Sequence, residues 1–419
     1  MKVSVLTQIV AGASVASAAA CPHVQIVPFT TKFEVVTLEE AQAAAADDPG
    51  FQEYQASLHA NLTTGCNETL SANVGGSLRA GESLSLGVDV DVDVDVDESG
   101  LDVGLGLDVG LGLGARANAK NAKNAQKAKN AKNANTCKNP AVRVEWRNMK
   151  EQDKKSFVKA VRCLMDKPAE GLTKVATSRY EELVWAHQSQ VDDIHMSGVF
   201  LPWHRYYTHL LSRMIREECG YTAPFPWWDE TKDAGNFTNS GLFTSEYFGS
   251  LPEVTQEGHG SCVTDGAFAG KMLHIGPGED NKEHCLSRGE DKDQTKNVSK
   301  AYVDTCNSRT EYVDMRSCME FGPHAYGHNG VGPVMAEVSG SPGDPTFFMH
   351  HSFIDRNWKV WQSKNETRRT TVSGCATPGE PCTQMTTKTD LSSKGIRPDV
   401  TVEDVLDTEN SWLCYTYDY

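Results

Sequence analysis

Residues Met319-Glu320-Phe321-Gly322-Pro323-His324-Ala325-Tyr326-Gly327-His328, followed downstream by Asp344-Pro345-Thr346-Phe347-Phe348-Met349-His350-His351, hold the pattern that sets this fold. His324 and His328 stand four apart just after Pro323, so on a helix both imidazoles leave one face a turn apart, as a chelating pair requires. His351 offers a third nitrogen from the next helix. Asp344 and Pro345 read there as N-cap and first helical position, with Phe347, His351, Ile354 and Trp358 as one stripe running to about Trp361.

A matching group lies upstream, between Tyr180 and Glu218. His187 follows Val184 by three residues on a helical face, His195 comes after the polar break Asp192-Asp193, and His204 opens a helix at Pro202-Trp203-His204-Arg205. Of 13 histidines, eight fall in these two neighbourhoods. The others, His23, His59, His259, His274 and His284, read as packing or surface residues. Two sets of three neutral imidazoles suit a borderline or soft transition metal with open positions. A zinc hydrolase would need a general base, and Ala325, Tyr326 and Gly327 supply no glutamate of the H-E-x-x-H kind.

Around these groups, from Cys137 onward, helical patterns alternate with aromatic and Gly/Pro-rich loops over roughly 280 residues, enough for one substantial core. Asn148-x-x-Glu151 reads as a capping box, and Phe157, Val161, Leu164 and Met165 as one apolar face ending before Pro168. Strand-like alternation is scarce, which predicts a mainly α bundle with extended loops.

The chain before Cys137 has a different character. Lys2, the apolar run Val3 to Ala16 and Ala18-Ala19-Ala20 predict a signal peptide over 1–20, too short to span a bilayer. Residues 21–85 form an N-terminal helical segment. It opens at a Thr37/Glu40 capping box, breaks at Asp47-Asp48-Pro49-Gly50 and resumes through Phe51, Tyr54 and Leu58, with nothing that points to chemistry. Residues 86–136 are low-complexity. Val and Asp alternate from Val88 to Asp97, Leu-Asp-Val-Gly-Leu-Gly repeats at 101–106 and 107–112, and Ala, Lys and Asn cycle from Arg116 to Lys132. So little apolar surface can be buried there that a disordered insertion is expected, with a calcium-binding repeat or a β-prone strand as alternatives. Residues 137–419 make the catalytic domain.

The 12 cysteines are even in number, dispersed and free of C-x-x-C pairs, which predicts extracellular disulfides, and five glycosylation sequons begin at Asn61, Asn67, Asn236, Asn297 and Asn365. A secreted protein is expected, with no membrane partner. The formal charge of −16 and the absence of aromatics in the basic tract argue against nucleic acid. Oligomeric state is left open.

The stretches Val184-Trp185-Ala186-His187, His195 and Phe200 to Tyr207 resemble the copper A motif of tyrosinases and catechol oxidases. Met319 to His328 and Asp344 to Trp358 resemble the copper B motif, and the likeness is nearest to the short, secreted fungal members. The resemblance implies an antiparallel four-helix bundle around a dicopper centre. His187, His195 and His204 would hold one copper, and His324, His328 and His351 the other. It further implies that O2 is activated and reduced to water while o-diphenols become o-quinones, with monophenols and o-methoxyphenols as further candidate substrates. Small phenols and O2 are then the partners. Glu320 matches the glutamate that holds a water and helps remove a phenolic proton, Asp355 the carboxylate that orients a copper histidine, and Val338 the gate side chain over copper A. His350 becomes an outer partner of the site, and Asp229 with Arg205 looks structural. The alternative is an oxygen carrier of the haemocyanin kind.

Three departures from the family pattern stand out. Ala325 replaces the asparagine that follows the first copper B histidine in many tyrosinases, which favours o-diphenols over monophenols. Asp193 replaces the cysteine that forms a thioether in many fungal members. The chain closes on Leu413-Cys414-Tyr415-Thr416-Tyr417-Asp418-Tyr419, so no shielding C-terminal domain is expected, although the 86–136 insertion could serve as a cover.

Overall fold

A computed structural model describes residues 26–29, 32–67, 91–97, 100–106, 137–254 and 258–419. The expected signal peptide lies outside them. The chain divides into two compact units, one holding the described residues up to Tyr54 with Asn139–Tyr419, the other those within Gln55–Lys138.

In the second unit, the Val–Asp stretch Asp91–Asp97 pairs antiparallel with Gly100–Gly106, Val94 opposite Val103. The pairing is that of the β-prone strand weighed beside disorder for this insertion, and the β-branched alternation suits a pleated strand. The rest of 86–136 lies outside the described residues.

In the first unit, helix α1 (Leu38–Ala45) starts at the expected capping box, Thr37 Oγ1 accepting from Glu40 N at 3.2 Å while Glu40 Oε2 accepts from Thr37 N at 2.8 Å. Helix α2 (Pro49–Asn67) follows after the predicted break, in this unit as far as Tyr54 and in the other from Gln55. Helix α3 (Glu151–Asp166) buries Phe157, Val161, Leu164 and Met165 as predicted. Asn148 does not cap it; Lys150 stands at the N-cap, and the Asn148 amide donates to Asp418 at 3.0 Å.

Helix α4 (Arg179–Gln188) is capped by Ser178, and helix α5 (Phe200–Cys219) ends on Gly220 at φ +67, where a Cβ would be strained. The Cys163–Cys219 disulfide ties α3 to the end of α5. Helices α6 (Ala325–Val331) and α7 (Phe347–Ser363) complete an antiparallel bundle in which α5 packs on both α3 and α7.

Asp344 is not the N-cap of α7, which is Thr346. Its carboxylate neutralises fully buried Arg288, at 2.6 and 2.9 Å, while also accepting from Thr346 N. A buried guanidinium without a counter-charge costs more than an uncapped helix.

Strand Ala141–Glu145 lies between Pro226–Trp227 and Tyr415–Tyr417, parallel to both, so the last residues are stitched to the start of the helical region. Below this seam Asp355 gathers buried charge. One carboxylate oxygen takes the Arg205 guanidinium, and the other accepts from Tyr415 and Tyr417 hydroxyls at 2.5 Å, with Arg143 at 3.5 Å. Arg205 also donates to the Val405 and Leu406 carbonyls and lies over the Trp358 ring. Its partner is therefore Asp355 and not Asp229, which binds Thr231 and Tyr419.

Burial pushes the Asp355 carboxyl up, but Arg205, Arg143 and the two tyrosines outweigh it and hold the group below the usual range. A depressed carboxyl contributes stability that is complete above its unfolded pKa near pH 4 and lost as pH falls through the folded value. Asp355→Asn should cost about 3–5 kcal/mol, since two buried guanidinium groups lose their counter-charge. Urea unfolding at pH 7 reads this, and a loss below about 1 kcal/mol would remove the hub from the account of stability.

Candidate metal centre

His187 ends α4, His195 follows the single turn Val191–Ile194, and His204 sits in the first turns of α5. Their ring centroids lie 5.1 to 5.7 Å apart. His324 closes a wide turn, Glu320–His324, kinked at Gly322 and Pro323, while His328 sits on α6 and His351 on α7. Their centroids are 4.5 to 5.3 Å apart. The groups meet where His204 stacks on His351, 4.4 Å between centroids at 12°. All six are buried. The structure thus brings together both predicted triplets.

Hydrogen bonding assigns the tautomers. His195, His204 and His324 each place Nδ1 on the carbonyl four residues earlier, of Val191, Phe200 and Glu320, at 2.9, 2.8 and 3.0 Å. His187 and His328 place Nδ1 on the Ser339 and Met335 carbonyls at 3.0 and 2.7 Å. A carbonyl only accepts, so each Nδ1 carries the proton and each Nε2 keeps a bare lone pair. Nε2 of His187, His204 and His324 is buried with no hydrogen-bond partner, and Nε2 of His328 faces Nε2 of His351 at 3.2 Å. An unsatisfied buried acceptor costs roughly 1–3 kcal/mol. A cation bound within each group removes that cost, so these residues fit a pair of transition-metal ions.

Burial, reinforced by the neighbouring imidazoles, pushes His187, His204, His324, His328 and His351 well below the ordinary histidine range; burial alone brings His195 to about 4. Neutral imidazoles are what metal ligation needs.

A fourth imidazole belongs to the second group. His350 shares its space with His324, His328 and His351, and its Nδ1 lies 2.7 Å from Glu230 Oε1. Burial raises the Glu230 carboxyl, with His350 opposing. Gly327 makes room for this pair, because a Cβ there would meet His350 Cε1 at 2.6 Å and Glu230 Oε2 at 2.9 Å. Sequence reading missed Glu230, although it directly follows the Trp227-Trp228-Asp229 run.

Glu320 stands beside both groups. Its carbonyl holds His324, one carboxylate oxygen accepts from Met196 N, next to His195, at 2.6 Å, and the other pairs with Arg316. Burial raises this carboxyl, with Arg316 and the Met196 N–H pulling back. Ala325 is buried beside it, so no polar side chain joins Glu320 at that position.

Val338 is half-buried between Met335 and Ser339, whose carbonyls hold His328 and His187. Glu337 braces this loop by accepting from Ser339 N at 3.2 Å and Gly340 N at 2.6 Å. Among the described residues, Asp355 has no hydrogen bond or ion pair with a histidine. Both its oxygens are committed to the hub described above, which corrects the expectation that it orients a ligand. His209 packs on Trp412.

Phe33, from a region in which sequence reading found no chemistry, lies on the site. Its ring stacks on His328, 4.3 Å between centroids at 27°, with His324 at 5.2 Å and His195 at 6.0 Å.

Comparison with known proteins places this geometry. Residues 177–364 match the family model described as the common central domain of tyrosinase. A tyrosinase of Aspergillus flavus, ustQ, is 34% identical over 292 residues, covering 67% of this chain and 80% of that protein. Tyrosinase P of Aspergillus terreus is 31% identical over 289 residues, 58% and 81% of the two chains. An N-acetyl-6-hydroxytryptophan oxidase of Emericella nidulans is 26% identical over 275 residues, 54% and 75%. Among solved structures, a mutant polyphenol oxidase from Thermothelomyces thermophila shares the fold, with a TM-score of 0.62 at 24% identity over 71% of this chain and 94% of that one.

His187→Ala and His351→Ala should each cut the copper retained after reconstitution and dialysis to about one ion per chain. His350→Gln should keep nearly the full load. Elemental analysis measures this, and a full load in His351→Ala would move the third ligand of the second group to His350.

Proposed function

This chain belongs to the tyrosinase family, and from that premise we propose that it is an exported type 3 copper oxidase that converts o-diphenols to o-quinones. Each diphenol gives up two electrons and two protons, so two diphenols are consumed for every O2 reduced to two waters. Held by the two histidine groups, a copper pair would supply oxygen activation and electron acceptance, which no side chain offers. The observation that carries the reading is the convergence of six buried imidazoles, five with Nδ1 tied to a carbonyl.

The chain's own residues do the rest. The aromatic surround, with Phe200 at 4.8 Å from both His204 and His324 and Phe347 at 4.0 Å from His351, keeps bulk water from the site. Glu320, whose carboxylate meets Met196 N–H next to His195 and whose carbonyl holds His324, accepts the phenolic proton once Met196 N–H or Arg316 gives way. Val338 lies on the loop past which a substrate ring enters. The relative named for N-acetyl-6-hydroxytryptophan supports a hydroxylated aromatic substrate in general. Export is supported by the disulfides Cys163–Cys219, Cys262–Cys285, Cys306–Cys318 and Cys375–Cys382, which need an oxidising compartment. Asn236 and Asn365 are exposed, as glycosylation requires.

One observation favours the oxygen-carrier reading: the Phe33 ring is stacked on His328, on the face a substrate ring would need. Turnover separates the two. Copper-loaded protein should consume O2 with catechol and turn over phenol more slowly, because Ala325 offers no polar partner to Glu320. Oxygen-electrode rates for the matched pair test this; faster phenol turnover without a lag would overturn the diphenol preference, and reversible O2 binding with no quinone would leave a carrier.

A further inference from the structure

A cleft of about 270 Å³ lies where the latter half of α5 meets the strand Ala141–Glu145 and the chain end. That is just under the usual size of ligand clefts and takes a molecule of one ring. None of the residues lining it is acidic, while Arg143, His209, Arg213 and Arg216 all line it. In a chain of formal charge −16, the cleft is thus a local concentration of positive charge.

The charges are not balanced from within. Arg143 shares the single Asp355 carboxylate with Arg205 and gives a hydrogen bond to the Tyr417 hydroxyl at 3.1 Å. Arg213 is exposed and pairs with Glu217, which Arg397 also engages. Arg216 is half-buried, donates to the Ala223 carbonyl at 2.9 Å and lies over the Tyr221 ring, and it has no carboxylate partner among the described residues. His209 is only 8% exposed, yet neither ring nitrogen has a hydrogen bond among the described residues. Burial, with Arg143, Arg213 and Arg216 adding to it, brings this imidazole down to about 3, so it stays neutral with one N–H to donate. A cation and a buried donor that both lack a partner are costly to leave so. Trp412 stands beside them, its ring 4.7 Å from that of His209 and 40% exposed, a platform for a flat ring.

We propose that this cleft binds a small aromatic carboxylate, its carboxylate on Arg216 and His209 and its ring against Trp412. A single guanidinium without a counter-charge matches a monoanion, and the planar fork of arginine matches a planar carboxylate. Arg143 and Arg213, already engaged, contribute charge around the ligand. The ligand would bridge α5 and the chain end, two parts that Asp355 also joins, so its binding stabilises the fold. The site uses none of the six metal-binding histidines and does not depend on the oxidase reading.

The test titrates 4-fluorobenzoate into the copper-loaded full chain by 19F NMR, with thermal unfolding measured alongside. Arg216→Gln should weaken binding at least about ten-fold, the order expected of one charge-assisted contact, and Arg216→Lys should restore part of it. Trp412→Ala should weaken the probe several-fold but leave trifluoroacetate, which has no ring, unchanged. The neutral analogue 4-fluorobenzamide should bind far more weakly than the carboxylate. The probe should raise the unfolding temperature of the unaltered protein and do so less in Arg216→Gln. Equal affinity in the unaltered protein, Arg216→Gln and Trp412→Ala would overturn the site and give the carboxylate to the metals. Weaker binding in Arg216→Gln with no change in Trp412→Ala would overturn the aromatic class and leave a plain anion site. If Arg216→Gln does not fold, His209→Phe, which keeps the packing on Trp412 and removes the donor, takes its place, and unchanged affinity there overturns the proposal.

Discussion

An imidazole can aim one nitrogen at a metal only if something fixes the other. That constraint explains most of what lies around this site. His195, His204 and His324 fix theirs locally, each on the carbonyl one turn back in its own segment. His351 follows the same spacing with a different contact, stacking on Phe347 four residues earlier at 4.0 Å. His187 and His328 depend instead on the Met335–Ser339 loop, which gives one carbonyl to each group. The loop is therefore as much a part of the metal site as the helices. Glu337 braces it with two main-chain hydrogen bonds, which stops a long connection from wandering.

Much of this was legible in the chain. Histidine spacing gave the two groups, the apolar stripe of Phe157, Val161, Leu164 and Met165 gave α3, and Thr37 with Glu40 gave the start of α1. What failed were local readings that met a stronger distant partner. Asn148 and Asp344 both look like helix caps, but Asp418 claims the first and buried Arg288 claims the second. Asp355 stands one turn after His351, which makes contact plausible, yet Arg205, Arg143 and two tyrosines from the chain end already fill its oxygens. Spacing reveals which groups can meet and says nothing of which partner wins. Phe33 was beyond reach for another reason: its main chain meets Asn329 across 296 residues, and no motif surrounds Phe33 itself.

Glu320 shows how such competition bears on chemistry. A free carboxylate beside the metals would be a ready proton acceptor, but here both oxygens are engaged and its own carbonyl steadies His324. The residue that would move a proton is also one that holds the site together. Arg316, on the preceding turn, and Met196 N–H, beside His195, thereby tie proton handling to the geometry of both groups, so a substrate that displaces either contact also adjusts the site.

His350 bears on how the second group is aimed. Successive helical residues diverge by about 100°, so His350 and His351 cannot face one point with the same ease. Since His351 has no hydrogen bond at Nδ1, its direction depends on the roll of α7 about its own axis. The His350 to Glu230 contact pins that roll: Glu230 is held just beyond the Pro226–Trp227 strand, and Gly327 lets the pair lie flush against α6. On this argument the fourth imidazole serves the metals without needing to touch them, by turning its neighbour toward His204 and His328. It also explains why a carboxylate partner suits it, since a charge-assisted hydrogen bond is firmer than a bond to a neutral carbonyl.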